Sequence, residues 1–290
     1  MPYLALVCNA LIWGLSWWPL RQLQALGLHP LWATALFFVL GVVLISVWRP
    51  SAWSVLCRSP ALWCLALAAG STNAAFNWGV SIGEVVRVVL LFYLMPVWAV
   101  LLARLILGER LSTAALARVA LALLGAVLVL KPASSAWPVF AGLPDVLGVL
   151  GGVGFALNNV LLRHQSHQDT SARALAMFAG GMVLPGLLAW TLAQQGVITA
   201  FPPWDARWLL GALALGLAMF CGNLALQYGA SRVPVGISSV VMLTEILFAA
   251  GSAVWLGSEV LTGTVLAGGA LILLAALLAT REGGASAHAA

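Results

Sequence analysis

Charge is what this sequence has least of. Asp, Glu, Lys and Arg make up 7% of its 290 residues and apolar types 63%, where a soluble domain has about 25% and roughly 45–50%. That excludes an ordinary water-soluble globule. No linker or polar tail is long enough to fold alone, so no soluble domain is expected and the function must lie in an apolar bundle. Cysteine is scarce. Cys8, Cys64 and Cys221 fall in apolar stretches and Cys57 in a joint, a pattern with neither a disulfide framework nor metal spacing. His164 and His167 share a joint without a further candidate ligand, which reads as a solvated loop, so no metal and no cofactor are expected. A His-Glu-x-x-His pattern is missing too, which argues against an intramembrane enzyme.

What is present is a series of apolar stretches of the length an α-helix needs to cross about 30 Å of hydrocarbon. Ten are counted, at roughly 3–20, 31–49, 60–81, 85–106, 113–131, 143–162, 171–194, 207–229, 234–256 and 262–280. They lack the alternation of barrel strands. The first has no basic stretch ahead of it and belongs to the repeat described next, so it is expected to be a retained helix. Basic residues mark the cytoplasmic side. With the N-terminus inside, Arg49, Arg58, Arg104, Arg110, Arg118, Arg163, Arg173, Arg232 and Arg281 fall inside, and Arg21, Arg87, Lys131 and Arg207 outside. This nine-to-four split predicts both termini in the cytoplasm of a multi-pass inner-membrane protein. The net charge of +5 is then a topology signal and not a nucleic-acid surface.

The chain repeats itself. At an offset of 150, Asn73 falls on Asn223, Asn77 on Gln227, Trp78 on Tyr228, Gly79 on Gly229, Glu109 on Glu259 and Leu111 on Leu261. A weaker offset of 142 sets Trp13-Gly14-Leu15-Ser16-Trp17 against Phe155-Ala156-Leu157-Asn158-Asn159, and Arg21 against Arg163. The expected architecture is all-α, with ten transmembrane helices forming two inverted five-helix repeats, 1–135 and 136–290, in one membrane bundle. An odd number of helices per unit forces the second unit to enter the membrane in the opposite sense, as in many secondary transporters.

Trp13-Gly14, Leu94-Met95-Pro96-Val97 and Leu107-Gly108-Glu109-Arg110-Leu111, with Glu245-Ile246-Leu247 and Ser258-Glu259-Val260-Leu261 in the second half, resemble the EamA-type drug/metabolite transporter family. Ile246 stands where that family often has proline, and Ser258 where it often has glycine. Within the family the look is similar to bacterial aromatic amino acid exporters of the YddG type. The resemblance implies a transporter fold far more specifically than it implies a substrate.

Residues four apart share a helix face, so Asn73 and Asn77 point one way, as do Asn223 and Gln227. Lipid offers amides no partner, so these either hydrogen-bond neighbouring helices or line a cavity. The predicted topology puts the two pairs on opposite sides of the midplane, flanking a central site. Glu245 is the only carboxylate near the middle of a predicted span. It is a candidate to bind a substrate amine or to exchange a proton, or else a structural acid. Trp17, whose repeat counterpart is Asn159, Trp78 and Tyr93 are candidate cavity aromatics, and Asn158 a candidate cavity amide. Pro96 is expected to kink the fourth helix and to act as a hinge.

No Lys or Arg falls at mid-depth, which disfavours phosphorylated substrates. The expected function is export of amino acids, including aromatic and other neutral ones, or of related metabolites by alternating access, with possible proton coupling. The alternatives are a multidrug exporter for lipophilic cations and a non-transporting membrane protein.

Overall fold

A chain in hydrocarbon must satisfy its N–H and C=O groups within its own segment, and the apolar runs accordingly form helices. The computed structural model describes residues 1–287 except 109–111, 132–138, 141, 231, 234–240 and 258, and excepting the side chains of 227, 230 and 279–287. The described residues form helices α1 (Pro2–Leu15), α2 (Trp17–Ala25), α3 (Pro30–Trp48), α4 (Ser51–Arg58), α5 (Pro60–Ile82), α6 (Val85–Phe92) and α7 (Met95–Leu107). They continue with α8 (Thr113–Leu130), α9 (Leu143–His164), α10 (Thr170–Gln194), α11 (Ala206–Ala230), α12 (Thr244–Gly257) and α13 (Gly263–Ala287). No strand occurs among them.

Helix starts follow local chemistry. Proline occupies the first turn of α1, α3, α5, α7 and α9, where its missing N–H has no intrahelical partner to lose. The Asp169 carboxylate accepts from Ala172 N at 2.9 Å and the Ser112 hydroxyl from Ala115 N at 3.0 Å, capping α10 and α8.

By length and apolar content seven helices can cross a membrane, taking α1 with α2 and α6 with α7 as single spans. The pair α4 and α5, bent by 98°, makes an eighth if it is counted as one. The two remaining apolar segments form shorter helices, Thr244–Gly257 and Gly263–Leu278. The sequence expects ten spans; part of the predicted stretch 234–256 lies outside the described residues. Helix α4 lies where only a joint is expected. Its Ala52 and Leu56 are buried while Trp53 is exposed, and it packs against α10. Charge and proline at its ends hide this amphipathic turn from a hydropathy reading.

The largest buried cluster runs from Trp17 through Val85–Leu94 to Ile246 and Ile272, and so joins the N-terminal and C-terminal halves. Large apolar side chains such as Trp48, Leu105 and Trp255 are turned outward, the surface a lipid solvent requires.

Candidate functional site

Two spans are interrupted and a turn precedes a third helix, and side chains at these places converge. The first break is at Ser16, between α1 and α2, where the Ser16 hydroxyl donates to the Trp13 carbonyl at 2.7 Å. The second lies at Tyr93-Leu94, between α6 and α7. Pro96 therefore sits in the first turn of α7 rather than inside a continuous helix, and the bend expected at Pro96 begins two to three residues earlier. The third is the turn at Leu243, just ahead of α12. It forms although Ile246 replaces the family's proline, and the Ile246 N–H reaches back to the Leu243 carbonyl at 3.1 Å.

Glu245 occupies the first turn of α12, where the positive end of the helix dipole favours an anion. The Tyr93 hydroxyl donates to its carboxylate at 3.1 Å, linking two breaks that lie 152 residues apart. Gly14 brings α1 against the same point: a Cβ there would stand 2.7 Å from the Glu245 carbonyl oxygen and 2.8 Å from Phe248 Cβ. The Trp17 indole N–H donates to the Ser252 hydroxyl on α12 at 2.9 Å. Trp13, Gly14, Ser16, Trp17, Phe76, Val80, Val85, Val89, Glu245 and Ala249 line a closed crevice with no room for a water molecule. Phe76 continues into an aromatic row through Phe92, at 4.7 Å between centroids, to Phe155 at 5.4 Å. Among the described residues one carboxylate, aromatic rings and no cation line the crevice, a combination that suits an amine, a lipophilic cation or an exchangeable proton.

Above the crevice is a vestibule of about 510 Å³, open to the surface and lined by Arg21, Ser81, Ile82, Gly83, Glu84, Gly257 and Glu259. The Glu259 carboxylate accepts from Val85 N at 2.7 Å and from Val86 N at 3.2 Å, holding the first turn of α6. Arg21 stands 3.8 Å from Glu259, donates to the Val80 and Gly83 carbonyls, and lies over the Trp17 ring at 4.7 Å. At the same end of the bundle, Arg87 makes a two-point contact with Asp145 on α9, 2.8 Å at each oxygen.

The crevice thus gathers Trp17 and Glu245 with Tyr93 behind them, and the other expected site residues lie elsewhere. Asn73 and Asn223 are half-buried and donate back to their own helices, to Ala69 O at 2.8 Å and Met219 O at 3.1 Å. Asn77 is fully buried and donates to Thr34 on α3 at 3.2 Å, a contact between helices. Asn158 is buried and, like Asn77, has an amide oxygen without a partner among the described residues. Trp78 packs edge-on against His29, 5.4 Å between ring centroids. The Gln227 side chain lies outside the described residues.

Sequence reasoning did not single out Ser252, Arg87, Asp145, Arg21 or Glu259 as site residues. The last two carried a signal, since Arg21 and Glu259 both recur at the repeat offsets as Arg163 and Glu109. Outside the spans, burial lowers the His29 pKa to about 4, and Arg207 beside it holds Asp205 below the usual carboxylate range.

A crystal structure with 20% sequence identity aligns over 97% of this chain and 96% of its own length with a TM-score of 0.60, so the whole fold is shared. Among relatives, an uncharacterized transporter of Helicobacter pylori strain J99 is 30% identical over 185 residues, 63% of this chain and 60% of the relative. The pseudopaline exporter CntI of Pseudomonas aeruginosa is 28% identical over 193 residues, 66% of this chain and 64% of that protein. An uncharacterized transporter of Archaeoglobus fulgidus is 28% identical over 212 residues, 73% of each. The match thus spans somewhat under two thirds of the first of these relatives and of the exporter. The model of the EamA-like transporter family matches residues 1–131 and 142–281. With both halves matched, several apolar membrane-capable helices and relatives named as transporters, this multi-pass membrane protein belongs to the EamA-like transporter family.

Proposed function

We propose that the chain is a secondary transporter that exports amino acids, aromatic and other neutral ones among them, or related metabolites across a bacterial inner membrane. It works by alternating access, with units 1–135 and 136–290 as inverted five-helix repeats around the crevice and both termini in the cytoplasm. The observation that carries this reading is the convergence of two broken spans and the start of α12 on a closed, aromatic crevice with one carboxylate among its described lining residues. Broken helices around a central site are the usual way a membrane bundle binds a polar solute. Glu245 is suited to the solute's amine or to a coupled proton, Trp17 and Phe76 to its apolar side, and Tyr93 to orienting the carboxylate.

Helix packing supports the repeat. The contact of α5 with α9 is matched by that of α11 with α1, and α5 with α10 by α11 with α3. The contact of α6 and α7 with α9 is matched by α12 with α1, while α3 with α10 and α8 with α13 map onto themselves. Each match is the exchange that two equivalent halves would make. A relative named as an exporter supports the direction.

Flux into proteoliposomes of a labelled amino acid panel, with and without a pH gradient, tests the reading, and no flux for any member sinks the substrate claim. Glu245→Gln is expected to abolish pH-driven accumulation while leaving downhill exchange. That no cation stands beside Glu245 among the described lining residues favours one alternative, export of lipophilic cations. In that case Glu245→Gln lowers drug resistance more than amino acid efflux.

A further inference from the structure

A single layer separates the closed crevice from the open vestibule. Trp17, Val80 and Val85 face the crevice. Their neighbours Arg21, Gly83 and Glu259 face the vestibule. Glu259 closes this layer across the two halves of the chain, since its oxygens take N–H groups 174 and 173 residues away. Arg21 braces it from the vestibule side, held to the Val80 and Gly83 carbonyls and stacked on Trp17.

We propose that Glu259 is the latch of a gate at this end of the bundle. Its carboxylate ties the first turn of α6 and Arg21 to the end of α12, and solute moves between crevice and vestibule only when it lets go. The proposal rests on the transport reading for its purpose but not for its test. Release is feasible because the freed groups enter water. The Glu259 side chain is already 13% exposed and Arg21 28%, at the wall of a wet space. The Arg87–Asp145 contact at the same end differs, with Asp145 only 2% exposed, and is suited to holding α6 on α9. One contact is built to open and the other to stay closed.

The test is thiol accessibility. In a chain whose four cysteines are replaced, Ser16→Cys puts a thiol in the crevice at a site 2% exposed. Glu84→Cys, exposed at the vestibule, identifies the side from which that end is reached in sealed vesicles. From that side a membrane-impermeant thiol reagent is expected to label Ser16→Cys slowly. Adding Glu259→Ala speeds labelling about ten-fold, the shift expected from losing a charge-assisted hydrogen bond. Glu259→Gln gives an intermediate rate, because its amide oxygen still accepts one N–H. Should Ser16→Cys fail to fold, Ala249→Cys, also 2% exposed on the crevice, takes its place. An unchanged rate in Glu259→Ala overturns the latch. So does an equal acceleration by Glu109→Ala, the repeat counterpart, because that would report general loosening. No solute is needed, so a chain that moves no amino acid but still shows the acceleration separates failure of the substrate reading from failure of the gate.

Discussion

Removing one side of the Arg87–Asp145 contact should damage the protein more than removing both. Arg87 gives two hydrogen bonds to Asp145 and one each to the Val129 and Val139 carbonyls, at 3.0 and 2.9 Å. Its side chain is 12% exposed and that of Asp145 2%. Arg87→Met therefore takes the two-point partner away from a buried carboxylate, a change that typically costs about 3–5 kcal/mol. Val139 is an exposed residue, so water reaches the guanidinium end of the pair, and the lower limit of about 3 kcal/mol applies. Asp145→Leu strands a buried cation that keeps two carbonyl partners, and should cost slightly less. The double variant Arg87→Met/Asp145→Leu removes both charges of the pair, and the two carbonyl bonds of Arg87 lost with them amount to about 1–2 kcal/mol in total. Thermal unfolding of all four proteins in one detergent, followed by intrinsic fluorescence, gives the ranking wild type, double variant, then the two single variants. A double variant that melts below both single ones, with losses that simply add, would refute the claim that the charges are paired in a dry setting.

The other predictions concern the crevice and the start of α3. Trp17→Phe removes the indole donor to Ser252 but leaves that hydroxyl bonded to the Ala249 carbonyl, so it should lower stability by about 1 kcal/mol; a melting loss several times larger would mean the ring itself is misplaced. Gly14→Ala pushes a methyl into the Glu245 carbonyl and Phe248, at a cost of about 1–3 kcal/mol, and should reduce monodisperse yield and flux together. Wild-type melting of that variant would contradict the close approach of α1 and α12. The His29 ring nitrogen caps α3 by accepting from Leu31 N at 3.2 Å, and its pKa falls from 6.5 to about 4. The unfolded chain thus binds the proton first, so this contribution is complete above about pH 6.5 and is lost as pH falls toward 4. His29→Asn keeps a capping acceptor and should flatten the melting temperature between pH 6.5 and 5, and an unaltered slope would remove His29 from the account.

The helices and most of their limits were legible because hydrocarbon allows few alternatives to long apolar helices. The breaks were less so. Ser16 and Tyr93 are not helix breakers by type, and Leu243 interrupts its span without the proline that a motif reading wants. At the last of these turns a tertiary neighbour comes in close, Gly14 of α1 against the start of α12. The amides illustrate a second limit. Asn73 and Asn223 satisfy themselves on carbonyls one turn back, while Asn77 reaches another helix. A shared face at i and i+4 fixes direction but not partner. Glu245 stood out in the sequence because an acid within an apolar span is costly, whereas Arg21 and Glu259 passed as ordinary residues at helix ends.

Helix α12 ties these observations together. Glu245 stands in its first turn, Ser252 in its middle, and Glu259 two residues past its end. Each meets a partner on the first half of the chain: Tyr93, Trp17, and the first turn of α6 with Arg21. A helix of 14 residues behaves as a short rigid rod, so a tilt that eases Glu245 away from Tyr93 also strains the contact at Glu259. Trp17 touches both the lever and the gate, donating to Ser252 in the middle of α12 and carrying Arg21 on its face. On the proposed transport reading, a solute that displaces Trp17 or recruits Glu245 acts on the proposed gate without reaching it, which is the mechanical link that alternating access needs between an occupied site and an opening end.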